Sequence, residues 1–570
     1  MHDLMIRNAR VVDGTGAPAF TGTVVVDGTR ISAVHAAATP AARTRARREI
    51  DADGLLLTPG FVDIHTHYDG QVCWDKLLTP SCWHGVTTVV MGNCGVGFAP
   101  VRRGREHELI EVMESVEDIP GAVLREGMSF GWESFGEYLD AIDTPYVMDV
   151  GTQVPHVALR YYVMGARSYE EQASAGEIAA MADITGKALA AGALGFSTSR
   201  FYGHLDKRNQ VVPGTHASAE ELIEIGAALG AAGHGTVEII SDRLEDAAEQ
   251  AWIAEVARRT RQPVLLLVSS NVGPVVWDIA ERCAKAGLDV RPQVGARPAS
   301  VLMSLEATVN PMRQFPSFDA VKHLPLAEQR ARLRDPAFRA LVLADTPKVP
   351  RFAGTARMIS SWDRMFVLPR DLGYEPGYED SLAGLARARG CHVREALMDV
   401  MAEGRPILYL LGDYQGTLEP HRARIARPHS VLGLSDGGAH CATLCDAGLS
   451  TYLLAYMCRD RQRGPRLALE LAVHKLTQDT ASAYGLRDRG VIAPGYRADL
   501  NLIDFEALAL GEPRMVSDLP GGGRRLLQDA RGYRATVCAG QVTFENGAHT
   551  GKLPGRVVRG GRRQGLSRDR

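Results

Sequence analysis

The stretch Thr58–Asp69 reads TPGFVDIHTHYD: a short apolar run, Phe61–Ile64, ends on two histidines one residue apart. Side chains alternate along a strand, so Asp63, His65 and His67 share one face while Val62, Ile64 and Thr66 take the other. Two imidazoles projecting together from the carboxyl end of a buried strand make a natural bidentate metal site. A pair of surface histidines at a strand end is the plainer alternative. The position straight after the first buried strand, with Asp69 following, favours the metal reading.

Downstream the same kind of apolar run recurs: GVTTVVMGN, YVMDVGTQ, GALGFSTS, GTVEIIS, PVLLLVS, LDVRPQV and SVLGLSD. Between several of them lie segments with helical spacing, such as AEELIEIGAALGAAG and DIAERCAKAG. Eight buried strands alternating with helices predict an α/β fold, a parallel (β/α)8 TIM-like barrel. A doubly wound open sheet competes, and a strand count alone does not separate the two. Upstream, IRNARVVDGTG, TGTVVVDGTRISAV and REIDADGLLLTPG carry short apolar runs punctuated by Asp-Gly, a hairpin signal. Similar strands return after Arg489, and a single small β-domain built from both chain ends would explain that. The divisions are 1–59 and 488–553 for that domain and 60–487 for the barrel. A polar insertion without a clear strand spans about 310–378, and 554–570 is a tail expected to be disordered.

With 570 residues, 45% hydrophobic and 23% charged, the chain has ample material for a large core, which excludes wholesale disorder. Lys plus Arg (64) nearly balances Asp plus Glu (67). Apart from a short basic tail, no basic stripe suits nucleic acid, and no run of about 18 apolar residues suits a membrane. The expected partner is a small-molecule substrate, with a homo-oligomer possible. The opening MHDLMIRNARVVDG runs into a strand without signal-peptide regions, and nine cysteines form no disulfide framework. A reducing cytoplasm is the simpler expectation.

Eight further positions carry candidate chemistry. Cys94, in MGNCGVG after the second strand, reads equally as a zinc-binding thiolate on a glycine-permitted turn and as an inert buried cysteine. Asp436, in VLGLSDGGAH at the last strand, faces the first strand on barrel closure. It reads as metal ligand and proton carrier, or as a helix N-cap. Glu238 sits in the apolar fifth strand, where an unpaired charge is costly, so a cation partner inside the barrel is expected. His440 is a ligand, a substrate contact or a rim histidine. His156 and His204 follow strands three and four, so both are candidates to line the mouth, His156 as a substrate contact. Arg200 and Arg297, at the ends of strands four and seven, are candidates for a substrate carboxylate.

Taken together, TPGFVDIHTHYD, GVTTVVMGNCGVGFAP, GLSDGGAH and the closing GVIAPGYRADLNLID resemble the amidohydrolase superfamily. The GNCG segment is similar to its D-aminoacylase (N-acyl-D-amino-acid deacylase) branch, and the likeness runs from Leu4 to about Gly560. The resemblance implies a barrel with a small β-sandwich and one or two divalent ions, usually zinc. His65 and His67 match the strand-one ligands, Cys94 the bridging cysteine of the branch, and Asp436 the last-strand aspartate that takes the proton of the attacking water. The implied reaction is hydrolysis of the amide bond of an N-acyl amino acid, D-configured on this branch. The alternatives are another C–N or ester bond (cyclic amide, lactone, deamination) and a barrel without catalysis. One departure stands out. The family draws two further histidine ligands from the ends of strands five and six, whereas HGTVEIISD and PVLLLVSSN offer none after their apolar runs. Glu238 is the candidate substitute at strand five; Ser269, Ser270 and Asn271 are the poor substitutes at strand six.

Overall fold

The computed structural model describes residues 1–36, 45–268, 273–350, 353–412 and 414–561. Eight parallel strands follow one another around a barrel: β1 (Phe61–Asp63), β2 (Val86–Met91), β3 (Asp149–Thr152, continued after Gln153 by Val154–Pro155), β4 (Gly195–Arg200), β5 (Thr236–Ser241), β6 (Val264–Leu267), β7 (Val290–Gly295) and β8 (Val431–Gly433). Neighbours pair in order, with Thr88 against Asp149, Phe196 against Val154, Val237 against Val264 and Gln293 against Val431. A parallel bridge between Thr66 and Gly437 closes the ring from β8 back to β1. Closure rules out the open sheet.

The helices between strands start where their sequences say they should. Ser174 and Glu177 form a capping box at Ala175–Ala191, Ser218 caps Ala219–Ala232, and Asp246 caps Ala247–Thr260. Each satisfies backbone N–H groups that a helix start leaves without partners.

The two chain ends share one nine-stranded sheet, joined where Leu500–Ile503 runs antiparallel to Leu56–Pro59. Its N-terminal hairpin turns at Asp27-Gly28, where Gly28 has φ +55°. This sheet has its own core around Leu4, Ile6, Val24, Leu57, Leu500 and Val537.

Between β7 and β8 lies a second compact unit. Strands Ser300–Met303 and Met365–Val367 flank Ile407–Leu410 in an antiparallel sheet, packed on Phe315, Phe318, Leu333, Leu397 and Met401. The polar stretch expected to lack a strand therefore contains one, Met365–Val367. It has three residues and is hydrogen-bonded as an edge, too short to show periodicity.

The tail expected to be disordered is partly fixed. Gly555 pairs with Tyr146 and Val557 with Val150, and Val558 is buried against the barrel. The remainder, 562–570, lies outside the described residues, as do Ser269, Ser270 and Asn271.

Candidate metal centre

The carboxyl ends of β1, β2 and β8 converge. Asp436 N–H donates to His65 O (3.2 Å) and His67 N–H to Gly437 O (2.7 Å), so the closing bridge itself sets Asp436 against both imidazoles. A Cβ on Gly438 would meet His67 O at 2.7 Å, so the approach needs glycine there. Cys94 stands on the turn after β2. Asn93 pins that turn to Thr66 O (3.0 Å) and Val90 O (2.9 Å), and Gly92 lies so close to β3 that a Cβ would meet Gln153 O at 2.5 Å. Cys94, Asp436 and His440 all adopt positive φ, 54°, 50° and 50°. Non-glycine residues held there cost energy and cluster at functional sites.

His65 Nε2 lies 3.5 Å from Cys94 Sγ and 3.3 Å from Asp436 Oδ1; His67 Nε2 lies 3.8 Å from Asp436 Oδ1. The donor atoms of His65, His67 and Cys94 fall within 4.8 Å of one another, and all three residues are buried. On the other edge of its ring, His65 Nδ1 donates to Gln293 Oε1 (2.9 Å), which leaves the Nε2 lone pair facing the thiol and Asp436.

The electrostatics of this pocket call for a cation. Burial pushes Asp436 and Glu238 up to about 8 and Glu117 well above the carboxylate range, each reinforced by neighbouring acids. Burial likewise lowers His65 to about 4 and His67 well below the usual imidazole value, so both rings are neutral donors. The Cys94 thiol is held well above its ordinary value by burial and by Glu238, Glu117 and Asp436. Asp436, Glu117 and Glu238 face imidazoles, and Glu238 also the Cys94 N–H and the Gln153 side chain; no lysine or arginine pairs with them among the described residues. A thiol, two neutral imidazoles and a carboxylate with no cationic partner are the donor set a divalent ion takes.

These groups open into a cavity of about 940 Å³, also lined by Phe201, His204, Ile240, Leu267, Val268 and Arg297 and by Arg313 and Lys348 of the inserted unit. Glu238 does not share the donor side. Its Oε1 is 3.4 Å from His65 Nδ1 and its Oε2 accepts the Cys94 N–H (3.1 Å). The expectation that it ligates metal is corrected accordingly: it stands behind His65 and Cys94.

Arg200 and His156 point elsewhere. Arg200 donates to Glu249 (2.8 Å) and Ala217 O (2.7 Å); His156 pairs with Glu221 (2.7 Å) and Thr198 (2.8 Å). Both are buried and occupied by these partners, Glu221 on the helix Ala219–Ala232 and Glu249 on Ala247–Thr260, so neither is placed to bind substrate. Arg297 reaches the cavity, but Nε and Nη2 both donate to Asp446 (2.9 and 2.6 Å), Nη1 reaches Gln528 and the guanidinium stacks on Tyr374. Its charge is neutralised at the wall. His440 lines the cavity, and His204, bonded to Ser199 (2.8 Å), sits beside it.

Sequence reasoning missed Glu117. It follows the helix Glu106–Val116, its side chain is 2% exposed, and its Oε2 lies 3.6 Å from His67 Nε2 and 3.5 Å from His440 Nε2. The available signal was a pair of acids, Glu117-Asp118, at a helix C-terminus, where the dipole disfavours negative charge.

A closed β/α barrel with histidine, cysteine and aspartate meeting at the mouth defines a class, and the match is direct: the amidohydrolase family model covers residues 48–544, and the chain belongs to that family. Among its relatives is the D-aminoacylase of Alcaligenes xylosoxydans xylosoxydans, 29% identical over 98% of this chain and 97% of that one. The N-acyl-D-aspartate deacylase of the same organism is 28% identical over 98% and 95%. A solved D-aminoacylase, described as having a binuclear metal center, is 26% identical with a TM-score of 0.63, covering 98% of this chain and all of that one. No helix among the described residues is long and apolar enough to cross a membrane.

Proposed function

We propose that this chain is a metal-dependent hydrolase of the amide bond in an N-acyl amino acid, and of the D-configured series that its relatives' names specify. The observation that carries this reading is the meeting of His65, His67, Cys94 and Asp436 at one cavity mouth. These four side chains would hold a divalent ion, read here as zinc. When bound, such an ion polarises the substrate carbonyl and brings the pKa of water toward neutrality. Asp436, hydrogen-bonded through its backbone to His65 and partly open to the cavity, takes the water proton at its carboxylate and returns it to the leaving nitrogen. Gln293 and Glu238 orient His65 from behind.

Arg297 being neutralised by Asp446, the substrate carboxylate is assigned to Arg313. That side chain is exposed, lines the cavity from the inserted unit, and forms no ion pair among the described residues. The domain division 1–59 with 488–553, 60–487 with its insertion, and the reading of the two-ended sheet as a small β-sandwich belong to this proposal. So does a cytoplasmic location, which nine unpaired cysteines suit.

Elemental analysis of protein purified without added metal or chelator tests the site. At least one equivalent of divalent metal per chain is expected, lost in the His65→Ala/His67→Ala variant; a metal content unchanged by that substitution contradicts the assignment.

A further inference from the structure

The lining of the cavity divides by strand. Its charged groups, Glu117, Arg297, Arg313 and Asp436 among them, come from the segment after β2 and from residues beyond β7. The ends of β4, β5 and β6 and the residues just after them give Phe201, His204, Ile240, Leu267 and Val268, with no charged side chain among the described residues. Ser241, the last residue of β5, donates to Glu249 (2.6 Å) and does not line the cavity. His204 Nδ1 lies 2.8 Å from Ser199 Oγ, and its ring stands edge-on to Phe201 with centroids 5.0 Å apart. Burial lowers this imidazole to about 3, so it carries no charge.

This apolar wall reaches down to the level of the donor groups. Glu238 spans from β5 to place Oε1 3.4 Å from His65 Nδ1, and Ile240 lies two residues further along the same strand, a rise of about 7 Å. Leu267 pairs in register with Gln293, which holds His65. In a ring of eight strands β4 stands across from β8, and β5 across from β1. The reading above places the leaving nitrogen at Asp436, after β8, and the amino acid's carboxylate at Arg313 of the unit inserted between β7 and β8. The acyl half of the substrate then runs from the carbonyl the other way, toward β4–β6. There is room for it: a cavity of about 940 Å³ is at the top of the roughly 300–1,000 Å³ that takes a drug-sized ligand, far more than an acetyl group fills.

We propose that the acyl group is a long apolar chain lodged against Phe201, Ile240, Leu267 and Val268, so that the preferred substrates are N-fatty-acyl rather than N-acetyl amino acids. This rests on the hydrolase reading above. The oxygen of water bonds to the acyl carbon, the C–N bond breaks, and the nitrogen leaves with the proton, releasing a fatty acid and a free amino acid.

Steady-state kinetics of metal-replete protein with the N-acetyl, N-butanoyl and N-octanoyl derivatives of one D-amino acid tests the wall. Each buried methylene favours binding by about three- to fourfold, so kcat/KM is expected to rise at least roughly 100-fold from acetyl, still turned over, to octanoyl. Ile240→Ser and the half-buried Phe201→Ser are each expected to lower the octanoyl-to-acetyl ratio about tenfold, with circular dichroism checking that each is folded. A wild-type ratio near one or below overturns the proposal, as does a ratio unchanged in the folded variants. A size preference that follows the amino-acid side chain at constant acyl group overturns it too. Calorimetric binding of octanoate and butanoate reads the same wall without turnover: octanoate should bind at least about tenfold tighter, with the margin reduced in Phe201→Ser. If none of the derivatives is cleaved, the hydrolase reading fails, and this comparison still decides the apolar wall; equal binding of the two acids overturns it.

Discussion

The two ends of the barrel both bury charge, and they treat it in opposite ways. At the amino ends of the strands Asp149, Asp488 and Asp499 interleave with Arg489 and Arg497. Arg489 Nη1 donates to Asp149 (2.7 Å) and Thr88 (2.8 Å), Arg497 Nη2 lies 2.9 Å from Asp149, and Asp499 accepts the Ala539 N–H (2.7 Å). Asp149 also receives the backbone N–H of Arg556, which fastens the C-terminal strap. At the carboxyl ends Glu117, Glu238 and Asp436 meet neutral imidazoles and no arginine or lysine among their described contacts. Acids of the same kind are paired with cations at one end and stand without them at the other, beside the metal position proposed above.

Substitutions at the two ends should therefore separate activity from stability. Asp436→Asn is expected to lower kcat by roughly a thousandfold or more, since it removes the proton carrier, without lowering the thermal midpoint. Steady-state kinetics with a parallel melting curve measures both, and a folded variant with near-normal kcat breaks the contrast. Asp149→Ala should do the reverse. Leaving Arg489 and Arg497 without their shared partner costs about 3–5 kcal/mol in denaturant unfolding, while metal content per folded chain stays the same.

His84 is a buried imidazole outside both clusters, placed between Thr451 Oγ1 (2.9 Å) and Gln528 O (2.9 Å). Burial lowers it to about 4, whereas an unfolded histidine titrates near 6.5. Between those values the unfolded chain binds the extra proton, so stability falls as pH falls from about 6.5 to about 4, by up to ~3 kcal/mol from this group. His84→Gln should flatten that part of the stability–pH curve; an unchanged slope assigns the acid sensitivity elsewhere. The smallest effect sharpens the substrate side: Arg313→Ala should raise KM for an N-acyl amino acid by about tenfold, the loss of one charge-assisted contact, with kcat little changed.

Much of the mouth was legible because strand ends announce themselves. The apolar run before His65, the glycines around Cys94 and the Ser-Asp-Gly-Gly after β8 each fix where a side chain emerges. What the linear order does not carry is which partner a side chain meets. Arg200 and His156 sit at strand ends as expected, but Glu249, on the helix after β5, and Glu221, on the helix after β4, claim them. Glu117 stayed hidden for the converse reason. EVMESVED looks like a solvated helix end, and only the turn at Asp118, anchored to Thr308 and Ala442, carries its carboxylate to His67 and His440. The sheet shared by the chain ends was visible in its Asp-Gly hairpins; the docking of Gly555–Gly560 was not, since its contacts are mainly backbone pairing with Tyr146, Val150 and Gly192.

The most direct test of the central claim is turnover of an N-acetyl-D-amino acid panel by one preparation as isolated, after chelation, and after zinc is restored. Release of free amino acid that vanishes on chelation and returns with zinc is the predicted result. Turnover indifferent to chelation, or none from metal-replete protein across the panel, would contradict it.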